Sequence, residues 1–158
     1  MKRVLVMIVA LVAVVSAAMA EGRVNPFFRK GYTADVQLSS TDINSFHITS
    51  SHGYGFGNGL YVGGGAGFGA EWESADVSKA PHYVPSLFVE GRWNILDHKI
   101  SPFVALRGSQ FIDLTEGAAR YGVTPKVGLN IGRFSLGIGY SIRTQRENAM
   151  QVSVGFTF

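Results

Sequence analysis

The sequence predicts an all-β fold: eight antiparallel strands in up-and-down order, closed into a transmembrane β-barrel with short turns on the periplasmic side. Three observations carry that prediction. Apolar and polar residues alternate with a period of two from Tyr32 to the end of the chain, tight and longer links take turns along it, and an export leader stands in front. After the leader, the 3.6-residue period of an amphipathic helix does not occur.

The leader has three parts: Lys2 and Arg3, an apolar run from Val4 to Val15, and the small-residue cleavage site Ala18-Met19-Ala20. The run is short for the roughly 20 residues that span a bilayer, which favours a cleaved signal peptide over an anchor. Residues 1–20 are therefore assigned as signal peptide, 21–31 as an N-terminal periplasmic lead-in and 32–158 as the barrel. With 158 residues and no cysteine, the chain has neither disulfides nor the cysteine of a lipid-modified lipoprotein. Its net charge of +3 includes both leader bases, so nothing electrostatic suggests a nucleic-acid partner. At 16%, charged residues are sparse for a water-facing surface.

The strands follow in order. Tyr32, Ala34, Val36 and Leu38 oppose Thr33, Asp35 and Gln37; Phe46 and Ile48 with Tyr54 and Phe56 form a weaker second strand. Leu60, Val62, Ala66, Phe68 and Trp72 oppose Gly63, Gly65, Gly67, Gly69 and Glu71. Tyr83, Pro85, Leu87, Val89 and Trp93 oppose Ser86, Phe88, Glu90 and Arg92. Pro102, Val104 and Leu106 oppose Ala105, Arg107 and Ser109, and Val123, Pro125, Val127, Leu129 and Ile131 oppose Thr124, Lys126, Gly128 and Asn130. Phe134, Leu136, Ile138, Tyr140 and Ile142 oppose Ser135, Gly137, Gly139, Ser141 and Arg143; Met150, Val152, Val154, Phe156 and Phe158 oppose Gln151, Ser153, Gly155 and Thr157.

Gly57-Asn58-Gly59, Ile95 to Lys99 and Gly132-Arg133 read as tight turns at one end. Ser40 to Ser45, Ser74 to His82, Asp113 to Arg120 and Gln145 to Asn148 read as longer polar links at the other. Two features decide which face looks inward. Runs of glycine on the polar face make a poor solvent surface but give room inside a narrow barrel. Aromatics of the apolar face gather at both strand ends: Tyr32, Phe56, Trp93, Phe134 and Phe158 near the short turns, and Trp72, Tyr83, Tyr121 and Tyr140 near the longer links. The apolar face is therefore expected outside.

The export leader, the eight alternating strands and the terminal Val152-Ser153-Val154-Gly155-Phe156-Thr157-Phe158 resemble the small outer-membrane β-barrel proteins of gram-negative bacteria, of the OmpA-transmembrane-domain and OmpX type. Arg92-Trp93-Asn94-Ile95-Leu96-Asp97, with Lys99-Ile100-Ser101-Pro102-Phe103-Val104, is similar to a segment recurring in compact members of that group. The resemblance covers residues 31–158. It implies residence in the outer membrane, contact with outer-membrane lipid and lipopolysaccharide, and assembly by periplasmic chaperones and the barrel insertion machinery as a monomer. Such machinery reads a C-terminal strand ending in an aromatic, matched here by Phe156 and Phe158.

With the polar face inward, Asp35, Glu71 and Glu90 share the lumen with Arg92, Arg107, Lys126 and Arg143, and confinement predicts a structural plug of paired charges. A lipid-modifying enzyme needs a serine nucleophile beside a histidine base. His47 is expected inward near Thr49 and Ser51, His52 toward lipid, His82 beside a link and His98 in a turn, and the late-strand His-x-Ser pair of barrel deacylases is absent. No cofactor, metal site or catalytic residue is therefore assigned. The expected function is non-enzymatic, in envelope structure or surface interaction. A lipid-modifying enzyme and a soluble periplasmic barrel binding an apolar ligand stay as alternatives.

Overall fold

The computed structural model describes residues 25–41, 45–72, 81–114, 117–144 and 148–158. The assigned signal peptide lies outside the described residues, as do the start of the lead-in and parts of the four links at one end. Eight strands follow a 3-10 turn at Pro26–Phe28: β1 (Lys30–Thr41), β2 (Ser45–Phe56), β3 (Leu60–Glu71), β4 (His82–Asn94), β5 (Ile100–Ile112), β6 (Ala119–Ile131), β7 (Phe134–Arg143) and β8 (Ala149–Thr157). Each pairs antiparallel with its sequence neighbours, and β1 pairs with β8 from Asp35↔Thr157 to Thr41↔Gln151, closing the barrel. Among the described residues every strand pairs on both sides, so the ladder satisfies the backbone groups of the barrel wall without water.

The alternation read from the sequence is the alternation of burial. Val89, Val127 and Met150 are 67%, 60% and 59% exposed, whereas Arg92 and Glu90 are 2% exposed. A water-soluble barrel with an apolar interior has the opposite arrangement. β2, the weakest pattern in the sequence, is a full strand paired along both sides.

The inward glycines make space for inward rings. A Cβ on Gly63 would run into the Tyr61 ring, on Gly65 into Phe88, on Gly128 into Phe103 and on Gly69 into His47. Aromatics thus fill the lumen where the facing wall has no side chain, which is how a narrow barrel reaches interior packing density.

At the short-turn end Gly57, Gly59 and Gly132 take positive φ of 81°, 84° and 63°, where glycine has no Cβ penalty. The opposite links span 42–44, 72–81, 113–118 and 144–148. The first is as short as the 57–59 turn, so the longer link expected at Ser40 to Ser45 does not form. Ser45 Oγ accepts from the Thr41 amide at 2.9 Å and Ser40 Oγ donates to the Ser45 carbonyl at 2.8 Å, carrying the hairpin closer to its tip.

Three further details differ from the expectations. The lead-in contains a 3-10 turn, capped by Asn25, whose side chain accepts from the Phe27 amide at 3.1 Å. β1 begins at Lys30, two residues before the assigned barrel boundary. Phe134 is only 8% exposed, because the Phe156 ring packs edge-on against it at 5.1 Å, so it does not join the exposed aromatic ring. Tyr32, Phe56, Trp93 and Phe158 at that end, and Tyr83, Tyr121 and Tyr140 at the other, are exposed as expected.

Candidate functional site

All seven charges assigned to the lumen point into it, and they fall into two groups. The central group is built on β4, where Glu90 and Arg92 lie two residues apart on the inward face. Glu90 Oε1 accepts from Arg92 Nη2 at 2.8 Å. Its Oε2 accepts from Arg107 Nε at 2.7 Å, and Lys126 Nζ lies 3.4 Å from the same oxygen. Arg92 Nη2 also reaches Asp35 Oδ2 at 3.1 Å. Gln37 links the group: its Nε2 donates to Asp35 at 2.7 Å, and its Oε1 accepts from Arg107 Nη2 at 2.9 Å. Two carboxylates thus hold three cations in a continuous belt across β1, β4, β5 and β6.

Rings complete the belt. The Arg92 guanidinium lies 4.9 Å from both the Phe27 and Phe103 ring centroids, and that of Arg107 lies 4.0 Å from the centroid of Phe88. These faces stabilise cations whose N–H groups are not all hydrogen-bonded, as with Arg92 Nε and Nη1.

The second group lies nearer the long links. Arg143 donates to Glu71 Oε1 at 2.8 Å, to Thr41 Oγ1 at 3.2 Å and to Ser141 Oγ at 3.0 Å. His47 Nε2 lies 3.2 Å from the same Glu71 oxygen. Beyond it, Asp113 is fully buried, accepts from Arg120 Nη2 at 3.0 Å and lies 3.4 Å from His82 Nδ1.

The short-turn end is also filled. Phe27 and Asn25 are each 1% exposed, and Phe27 packs edge-on against Tyr61 at 5.7 Å. Asn130 Nδ2 donates to Asn94 Oδ1, Asn94 Nδ2 donates to the Gly59 carbonyl at 2.9 Å, and Tyr61 Oη meets Ser51 Oγ at 2.5 Å. Side chains therefore cross the lumen at both ends of the charge belt and within it.

Sequence reading missed Asp113, Arg120 and the inward rings of Phe27, Tyr61 and Phe103. Asp113 and Arg120 continue the inward parity of Arg107, Ser109 and Phe111 and of Gly122 and Thr124, but the polar stretch between them has the composition of a link. Phe27 had no such signal, because it precedes the alternation. The histidines separate as expected, with His47 inward, His82 at the start of β4 and His98 in a turn, its Nδ1 2.6 Å from the Asp97 carbonyl. His52 lies on the outer wall, and its Nε2 is 3.1 Å from Ser50 Oγ. Phe156 on β8 and Phe158 just past its end share the outer face, packed edge-on at 4.9 Å.

No family model and no curated protein matches the sequence. Among solved structures, the chain is similar to the outer membrane enzyme PagL, with a TM-score of 0.50 and 10% identity over 80% of this chain and 98% of that one. Neisserial surface protein A gives a TM-score of 0.47 at 14% identity, covering 80% of this chain and 92% of that one. A de novo designed transmembrane β-barrel gives 0.49 at 10% identity over 82% of this chain and all of that one. At 10% identity the likeness to PagL extends to the barrel fold and no further.

Proposed function

We propose that this chain is an integral outer-membrane barrel of the OmpA-transmembrane-domain and OmpX type, serving envelope structure or surface interaction and not transport through its lumen. One observation carries the reading: a buried, mutually paired charge belt is enclosed by a wall whose outward residues are chiefly apolar on every strand. In water such a wall is an aggregation surface; in a bilayer it is the required one. A conducting pore needs a hydrated path, and here Arg92 and Glu90, with Phe27, Phe103 and Phe88, occupy it. The long links, at the end away from both termini, are then the surface available to partners outside the cell. The exported leader and the aromatic terminus at Phe158 support delivery to the outer membrane by the insertion machinery.

Fractionation combined with heat-modifiability tests the reading. The protein is expected in the outer-membrane fraction, and the unboiled form should migrate differently on a gel from the boiled form, because a closed barrel resists cold detergent. Recovery in the soluble periplasmic fraction would support the apolar-ligand alternative.

A further inference from the structure

We propose that Ser50, His52 and Tyr32 form an acyl-transfer site on the outer wall, with the ester of a lipid acyl chain as substrate. The three side chains form one hydrogen-bonded chain: Ser50 Oγ to His52 Nε2 at 3.1 Å, and His52 Nδ1 to Tyr32 Oη at 2.5 Å. Ser50 and His52 share the outward face of β2, two residues apart, and the β1–β2 register brings Tyr32 alongside, its ring stacked on the imidazole at 6.1 Å. This is a nucleophile, a base and a group orienting the base, in an arrangement recognised by geometry and not by sequence order. It also differs from its surroundings. Elsewhere the outward face of the strands is chiefly apolar, and an ionisable side chain on a lipid-facing wall marks a functional site by default.

Access and depth point to the same substrate. His52 is flanked in its row by Ala34 and Gly64, and Ser50 by Val36 and Ala66, so three of the four neighbours carry no more than a methyl group. All four neighbours are apolar, so the hydroxyl has no polar competitor within its row. His52 lies one outward row inside Tyr54 and Tyr32, which belong to the aromatic ring at the short-turn end. Aromatic rings of this kind mark the boundary between headgroups and hydrocarbon. Ester carbonyls of membrane lipids sit at that boundary, with water on one side.

The role of each atom follows. Tyr32 Oη accepts from His52 Nδ1–H, leaving the Nε2 lone pair directed at the Ser50 hydroxyl. As Ser50 Oγ bonds to the ester carbonyl carbon, its proton passes to Nε2 and the carbonyl π pair moves onto oxygen. When the tetrahedral adduct collapses, the bond from carbon to the alcohol oxygen breaks and Nε2–H protonates that oxygen. Water from the headgroup layer then attacks the Ser50 ester by the same proton path, releasing a fatty acid and restoring the serine. Ester and water are consumed; acid and alcohol are formed. Tyr32 is a positioning residue.

The proposal rests on the reading that this wall faces lipid, so the test begins without lipid. Full-length mature protein, refolded in detergent and shown to be heat-modifiable, is treated with a fluorophosphonate probe. Label is expected on Ser50, and Ser50→Ala and His52→Phe should lower labelling roughly a hundredfold. Tyr32→Phe should lower the first-order labelling constant at saturating probe about tenfold while leaving half-saturation and the final labelled fraction unchanged, whereas loss of folding would lower the labelled fraction. Heat-modifiable wild type labelled no faster than Ser50→Ala overturns the site. In a second arm, protein in phosphatidylethanolamine vesicles is expected to release fatty acid at least about tenfold faster than Ser50→Ala. Release only from vesicles containing lipopolysaccharide overturns the assignment of depth, and labelling without release from either lipid overturns the substrate class. A wild type that never becomes heat-modifiable overturns the membrane-barrel reading instead.

Discussion

Glu90 and Arg107 face each other across the β4–β5 ladder, with Arg107 Nη2 2.6 Å from Glu90 Oε2 and both side chains closed off from solvent. Arg92 and Lys126 converge on the same carboxylate, so this one group is the shared partner of three cations of the lumen.

Glu90→Gln should therefore be among the most destabilising substitutions in the chain. It keeps shape and some hydrogen bonds but leaves Arg92, Arg107 and Lys126 with Asp35 alone, and losing one partner of a buried ion pair costs about 3–5 kcal/mol. Denaturant unfolding in vesicles measures the loss, and adding Lys126→Met should recover part of it. A stability unchanged by Glu90→Gln would contradict the placement of these charges.

Reconstituted wild-type protein should show no stable porin-like conductance in a planar bilayer, because eight strands leave an interior that side chains fill. The Phe27→Ala, Phe103→Ala double variant, which removes both rings flanking Arg92, should admit small ions at most. Large steady currents through the wild type would overturn the closed lumen.

Substitutions on the two faces should separate by direction. Val127→Arg or Leu136→Arg, outward and near mid-strand, should each cost about 2–4 kcal/mol in a bilayer. On the inner face the available space decides. A Cβ on Gly137 meets Ser153 Oγ, a movable side chain, at 2.9 Å, whereas a Cβ on Gly128 collides with the Leu136 carbonyl. Gly137→Ser should be mild and Gly128→Ala severe, as read from outer-membrane yield and denaturant midpoint. Harmless arginines would mean the barrel is inside out.

Deleting Phe158, or adding a polar tail after it, should lower outer-membrane yield more than it lowers the stability of folded protein. Its amide donates to the Ala34 carbonyl at 2.8 Å and its ring is 64% exposed, so few native contacts are lost. Unclosed chain in the periplasm would expose strand edges that aggregate. Equal yields for wild type and deletion would remove the argument that this terminus guides assembly.

The sequence by itself determined the strands, their faces and the identity of the lumen charges. A period of two assigns each residue to one side of a sheet, and a closed antiparallel barrel keeps that assignment all round. Glu90, Arg92, Arg107 and Lys126 were therefore legible as inward residues without any knowledge of their partners. Only the tertiary structure decided who meets whom. Arg92 reaches Asp35 from 57 residues away, and Phe27, outside every repeat, closes the barrel beneath it. The same limit hid the outer-wall cluster. The sequence placed His52 toward lipid, but Tyr32 comes beside it only through the β1–β2 register, and Ser50 precedes the histidine where the expected order has serine following. Parity depends on one strand alone, whereas register and reach across the lumen depend on how all eight strands close.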